Sequence, residues 1–175
     1  MSDDDLARRI DGIAHLTGRF TLRSGAVSDT YFDKYRFESD PILLGAIADA
    51  MARLVPQGTE VLAGLELGGV PLAVRLSEVT GLPAAFVRKE AKTYGTCQLA
   101  EGAGVDGRRL TVVEDVITSG GLVVMSVGDL RDRGAVVEHA LCVIDREAGG
   151  AAALADIGVE LRPLFTMAAL EASRG

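Results

Sequence analysis

The sequence has little that would place the chain in a membrane, a disulfide scaffold or a nucleic-acid coat. No apolar run approaches the ~18 residues that span a bilayer. The opening Met1-Ser2-Asp3-Asp4-Asp5 is acidic and lacks the basic-then-apolar pattern of a secretion signal. Two cysteines, Cys97 and Cys142, make no disulfide framework, so a reducing cytoplasm is the expected compartment. Lysine is scarce: of 18 basic residues, Lys34, Lys89 and Lys92 are the lysines and the other 15 are arginines. That bias draws attention to positions where a compact, flexible ammonium serves better than a planar guanidinium. The net charge of -7 argues against nucleic acid or an anionic membrane surface as the main partner. There is no internal repeat, low-complexity tract or linker. His15 and His139 have no His or Cys partner at metal-ligand spacing.

What is present is one globular domain. The 175 residues are 48% hydrophobic and 25% charged, and at this length roughly 70% of the unfolded surface can be buried. Ser2 is placed to cap a first helix, whose aspartate-rich opening turn suits its dipole, running to about His15. Residues 19–34 read as extended, with a turn at Ser24-Gly25. Asp40-Pro41 is a cap followed by proline at the first helical position, and Ile42, Leu43, Ile47, Ala50, Met51 and Leu54 follow at helical spacing. Short apolar strands then alternate with helices. Strands are expected at 61–65, 84–87, 110–113, 135–144 and 159–165. Helices are expected at 71–79, 119–131 and near Ala151, and Thr166 is placed to cap a last one. This alternation predicts an α/β fold: a central parallel sheet flanked by helices on both faces. In such sheets ligands bind at the carboxyl ends of the strands, so the chemistry is sought at 66–70, 88–101, 114–121 and 145–150.

The most specific string is Glu114-Asp115-Val116-Ile117-Thr118-Ser119-Gly120-Gly121-Leu122. A buried strand is expected to deliver two adjacent carboxylates at its end, and a Thr-Ser-Gly-Gly turn then opens a helix. The free N–H groups and dipole of that helix start favour a phosphate, and the glycines let it approach. Carboxylates beside a phosphate cradle repel the ligand unless they accept from sugar hydroxyls or act through Mg²⁺. A phosphorylated ribose satisfies both halves. No Gly-Lys-Ser/Thr follows the turn, so a Walker-type loop is excluded, and the glycines fall too late for a dinucleotide fingerprint.

Segment 110–122 resembles the phosphoribosyl-pyrophosphate motif of type I phosphoribosyltransferases. Arg88-Lys89-Glu90-Ala91-Lys92, followed by Tyr94-Gly95, is similar to the catalytic lid of orotate phosphoribosyltransferases. Phe20 to Gly25 and Ser28 to Asp33 resemble that family's N-terminal substrate hood, Gly64 to Pro71 its pyrophosphate loop, and Asp145-Arg146-Glu147 the segment that grips the orotate carboxylate. The likeness runs from about Phe20 to the C-terminus. The chain departs from the enterobacterial form of the family at three places. That form has a lysine where this chain has Gly68, a lid histidine where it has Tyr94 and a lysine where it has Arg23. Loop 66–69 is therefore expected to contribute backbone N–H groups instead of a side-chain cation.

The resemblance implies a type I phosphoribosyltransferase fold, with a helix and hood over about 1–38 and an α/β core over about 39–175. It implies transfer of ribose 5-phosphate from 5-phosphoribosyl 1-pyrophosphate to orotate in pyrimidine biosynthesis. Lys92, Glu114 and Asp115 are the implied catalytic residues. Arg88, Lys89, Lys92, Tyr94 and residues Glu114, Asp115, Val116, Ile117, Thr118, Ser119, Gly120, Gly121 and Leu122 would bind phosphoribosyl pyrophosphate. Thr118, Arg146, Tyr31 and Phe32 would bind orotate. Mg²⁺ is implied as cofactor, held mainly by substrate oxygens and not by a protein metal site. A homodimer is implied in which Lys89, Lys92 and Tyr94 cover the partner's site. Lys34 borders the hood, and a site placement and a surface placement both fit it. Two alternatives stay open: a purine-base phosphoribosyltransferase, and a non-catalytic regulator that senses phosphoribosyl pyrophosphate and binds nucleic acid. The acidic charge and the lack of a helix-turn-helix extension weigh against the regulator.

Overall fold

The computed structural model describes residues 1–22, 25–90 and 99–174. Ser2 caps α1 (Asp3–Ala14), its side chain accepting from Asp5 N. The hood is an antiparallel hairpin of β1 (His15–Thr21) and β2 (Val27–Phe32). Its first strand starts four residues earlier than the sequence predicts, directly off the end of α1. A short helix that the sequence did not announce, α2 (Tyr35–Ser39), buries Phe37 and leads to α3 (Pro41–Ala52). Asp40 caps α3 by accepting from Ile42 N and Leu43 N.

The core follows as β3 (Val61–Leu65), α4 (Gly69–Thr80), β4 (Ala84–Val87), β5 (Ala100–Gly102), β6 (Arg109–Ile117), α5 (Gly121–Arg131), β7 (Val136–Asp145), α6 (Gly150–Asp156), β8 (Glu160–Thr166) and α7 (Met167–Ala172). The sheet order is β5-β4-β3-β6-β7-β8. All neighbours are parallel except the edge strand β5, which runs antiparallel to β4.

Strand alternation divides the core in two. Leu62, Val113, Leu141 and Val143 pack toward α1, α3 and α4, with Ile10, Ile47, Met51, Leu72 and Leu76. Val61, Ala63, Leu65, Val112, Ala140 and Cys142 pack toward α5 and α6, with Val123, Val127, Leu130 and Leu154. Each fully buried leucine or isoleucine contributes about 1.5–3 kcal/mol through loss of apolar surface to water.

β3 pairs with β4 on one side and β6 on the other, so the crossovers diverge between β3 and β6. That is the switch point where open α/β sheets leave a crevice. The strand expected at 110–113 is longer than read, and this corrects the placing of Glu114 and Asp115 at its end. Pairing with β3 stops at Gly64↔Val113, but pairing with β7 continues to Ile117↔Asp145. The two acids therefore lie inside β6, on the stretch that extends past β3 into the crevice. The following helix starts at Gly121, two residues later than read, because Gly120 adopts a left-handed conformation (φ 77°) that no helical residue holds.

Candidate active site

Asp115 is fully buried and Glu114 is 6% exposed. Glu114 Oε1 accepts from Asp115 N at 2.9 Å, and Asp115 Oδ1 also accepts from Val116 N. Lys34, from the turn between β2 and α2, places its Nζ 2.9 Å from Asp115 Oδ1 and 2.7 Å from Oδ2. Gly68 closes the other side. A Cβ there would lie 1.8 Å from Asp115 Oδ2 and 2.7 Å from Glu38 Oε1, so the loop between β3 and α4 approaches the acids only because residue 68 has no side chain. Within that loop the Glu66–Leu67 peptide is cis, and Glu66 N donates to Val87 O at 2.9 Å, which ties it to the end of β4.

Three carboxyls thus crowd one ammonium. Burial, reinforced by the neighbouring Asp115, pushes Glu38 and Glu114 each up to about 9. Burial also opposes charge on Asp115, but hydrogen bonds from Glu114, Glu38 and Lys34 outweigh it and hold Asp115 below the ordinary carboxylate value. Burial lowers Lys34, and the contact with Asp115 reverses this and raises it. The surroundings thus favour charge on Asp115 and Lys34 and the neutral forms of Glu38 and Glu114.

The turn after β6 exposes Thr118 and Ser119. The first helical bond of α5, Val124 N to Gly120 O at 2.9 Å, leaves the N–H groups ahead of it without intrahelical partners. A Cβ on Gly121 would meet open space, whereas one on Gly120 would lie 3.1 Å from Gly150 Cα. Ile117 is buried in the core and Val116 half-buried, so these two adjoin the turn by backbone. Leu122 is 38% exposed.

Arg88 follows β4, and its N donates to Leu99 O at 2.9 Å. Its Nε is buried without a hydrogen-bond partner among the described residues. Lys89 is exposed. Lys92, Tyr94, Arg23 and Cys97 lie outside the described residues.

A cavity of about 250 Å³ joins the hood to the end of β7, with Tyr31, Phe32, Ser28, His15, Arg146 and Arg174 on its walls. The Tyr31 and Phe20 rings meet at 5.5 Å between centroids, tilted by 32°. Arg146 N donates to Ile117 O at 2.9 Å. The next residue, Glu147, takes a positive φ of 56°, donates its N–H to Asp145 Oδ1 at 2.8 Å and accepts from Ala168 N at 3.0 Å. Arg174 bonds both oxygens of Asp11 at 2.6 Å. The structure therefore brings Tyr31, Phe32 and Arg146 together on one cavity, and Glu114, Asp115 and the Thr118–Gly121 turn onto one strand and its exit. Sequence reasoning missed Glu38 and Arg174 and left Lys34 undecided. Lysine scarcity was the one available signal for Lys34.

Among the described residues, no group of three or more His, Cys, Asp or Glu is arranged to hold a metal ion. Cys142 is buried, and burial pushes its thiol up.

No family model matches the chain. An orotate phosphoribosyltransferase of Nocardioides sp. is 55% identical over 172 residues, covering 98% of this chain and 96% of that protein. An orotate phosphoribosyltransferase of Methanocella arvoryzae is 45% identical over 147 residues, 84% of each chain. Among solved structures, the Mycobacterium tuberculosis orotate phosphoribosyltransferase in complex with 5-phospho-alpha-D-ribosyl 1-diphosphate superposes with a TM-score of 0.83. It is 30% identical and covers 97% of this chain and 98% of that one.

Proposed function

The chain belongs to the orotate phosphoribosyltransferase family, and from that premise we propose how its own residues carry the reaction. It is a pentosyltransferase that moves the ribose 5-phosphate group of phosphoribosyl pyrophosphate onto orotate, giving orotidine 5′-phosphate and pyrophosphate. The ribose carbon becomes cation-like as a polyanionic leaving group departs, so catalysis rests on positioning and electrostatics.

Thr118, Ser119 and the N–H groups from Gly120 onward hold the 5′-phosphate at the start of α5. Asp115, an ionised acceptor, takes the ribose hydroxyls together with Glu114 and lies near the developing positive charge. Arg88, whose buried Nε has no hydrogen-bond partner among the described residues, and Lys89 neutralise the pyrophosphate. Lys92 and Tyr94 complete the lid, and in a homodimer they cover the partner's site. Arg146 pairs with the orotate carboxylate, and Tyr31 and Phe32 wall the ring.

A Mg²⁺ ion would be held chiefly by substrate oxygens, with Glu114 or Asp115 nearby. Such an ion takes oxygen ligands, commonly one or two carboxylates plus substrate phosphates. When bound it supplies positive charge beside the leaving pyrophosphate. Among the described residues no helix is long and apolar enough to cross a membrane. A cytoplasmic location is proposed on the scarcity of cysteine.

The observation that carries the choice of base is the cavity that Arg146 shares with Tyr31 and Phe32. An assay offering orotate, adenine, hypoxanthine and uracil side by side tests it. Orotate alone should yield a nucleotide, and turnover of a purine would overturn the assignment.

A further inference from the structure

We propose that Lys34 is a positioning residue of the reaction: its ammonium holds Asp115 as an ionised, correctly turned acceptor for the ribose hydroxyls. The proposal rests on the reading of Asp115 as a ribose ligand.

An ionised carboxylate has about four lone-pair sites and no proton to donate. Val116 N takes one site on Oδ1, and Lys34 Nζ spans both oxygens at 2.9 and 2.7 Å. A protonated Asp115 would present an O–H and lose that pure acceptor character.

Lys34 is what keeps it ionised. Asp115 sits in a fully buried position between Glu114 and Glu38, and like charges crowded together cannot all ionise. Among the described residues, Lys34 is the one cation in salt-bridge contact with this cluster. Removing it would leave Asp115 with two acidic neighbours and no counter-charge, and the proton would return to it.

Lysine, and not arginine, fits the place. The chain approaches Asp115 from the tight turn between β2 and α2, the stem is half-buried with 34% of the side chain exposed, and the ammonium also lies 5.4 Å from the Tyr35 ring. A compact head on a flexible stem reaches both carboxylate oxygens from this turn. The same turn carries Tyr31 and Phe32 just before it, so the segment that walls the base cavity also sets the ribose acceptor.

The test measures phosphoribosyl pyrophosphate binding by titration calorimetry and steady-state kinetics for Lys34→Met, Lys34→Gln and Lys34→Arg. Met and Gln should weaken phosphoribosyl pyrophosphate by about tenfold or more, the scale of one charge-assisted hydrogen bond, and leave the KM for orotate within about twofold. Lys34→Arg, keeping the charge but not the compact head, should recover only part of the affinity. The second variant guards against a folding failure of the first. Equal weakening of both substrates, or unchanged phosphoribosyl pyrophosphate binding in a folded Met or Gln variant, would overturn the proposal.

Asp115→Asn separates the role of Lys34 from the ribose role beneath it. Asp115→Asn should weaken phosphoribosyl pyrophosphate by itself, and Lys34→Met added to it should cost little more, because the two residues act through one contact. Full additivity would overturn the role of Lys34 alone. Unchanged binding in Asp115→Asn would remove the ribose reading of the acid.

Discussion

Gly68 and Asp115 meet so closely that a Cβ on Gly68 would lie 1.8 Å from Asp115 Oδ2. Absence of a side chain in the loop after β3 is therefore a condition for the acid's position. Gly68→Ala should push the carboxylate off Lys34 and lower kcat/KM for phosphoribosyl pyrophosphate by about tenfold or more, since about an ångström of misplacement costs that much or more at a reacting centre. Its KM for orotate should stay near the parent value. A variant with parental kinetics would show that loop and acid can separate freely.

Glu38 predicts a pH dependence of stability. Its folded value, raised by burial from 4.5 to about 9, means the neutral acid is the form that fits the fold. Stability from a raised acid is full below its unfolded value and is lost as pH rises through the folded one. Glu38→Gln mimics the neutral form at every pH. Thermal melts from about pH 5 to about pH 9 should thus fall less steeply for the variant, which should match the parent at the acid end and exceed it at the alkaline end. Part of the slope should persist through Glu114. Parallel curves would contradict the burial of an uncharged Glu38.

Arg146→Ala should raise the KM for orotate by about tenfold or more, the value of a charge-assisted guanidinium–carboxylate contact, and change phosphoribosyl pyrophosphate far less. Steady-state kinetics with each substrate varied in turn decides it. Equal effects on both would move Arg146 out of the base cavity.

The proposed sharing of lids between subunits is tested by re-pairing two inactive variants, Lys92→Ala and Asp115→Asn. Random mixing gives about half mixed dimers, each with one intact site, so activity should return to roughly a quarter of the parent value. No recovery, with mixed dimers seen by native mass spectrometry, would assign each lid to its own subunit.

Much of the fold was legible because strands buried on both faces leave short apolar runs, and because caps such as Ser2, Asp40 and Thr166 mark helix starts; all three accept the N–H bonds expected of them. β5 was not legible: three residues on a sheet edge carry no period. The extent of β6 was hidden too, because its last residues are strand only through pairing with β7. The Thr118–Gly121 turn and the acid pair stand in one contiguous string and could be read. Lys34 and Glu38 could not, since Lys34 meets Asp115 across 81 positions of sequence and only the folded chain brings them together. Gly68 read from the sequence as a missing cation, whereas in the fold it is the space that Asp115 occupies.

The most direct measurement is the turnover of Glu114→Gln combined with Asp115→Asn, set beside the variant's thermal stability. Both replacements keep shape and remove ionisable oxygens from a site argued to serve the ribose. Orotidine 5′-phosphate formation should fall by about a hundredfold or more, with a melting temperature within about 5 °C of the parent. A folded double variant with near-parental turnover would contradict the ribose-binding role of the acid pair.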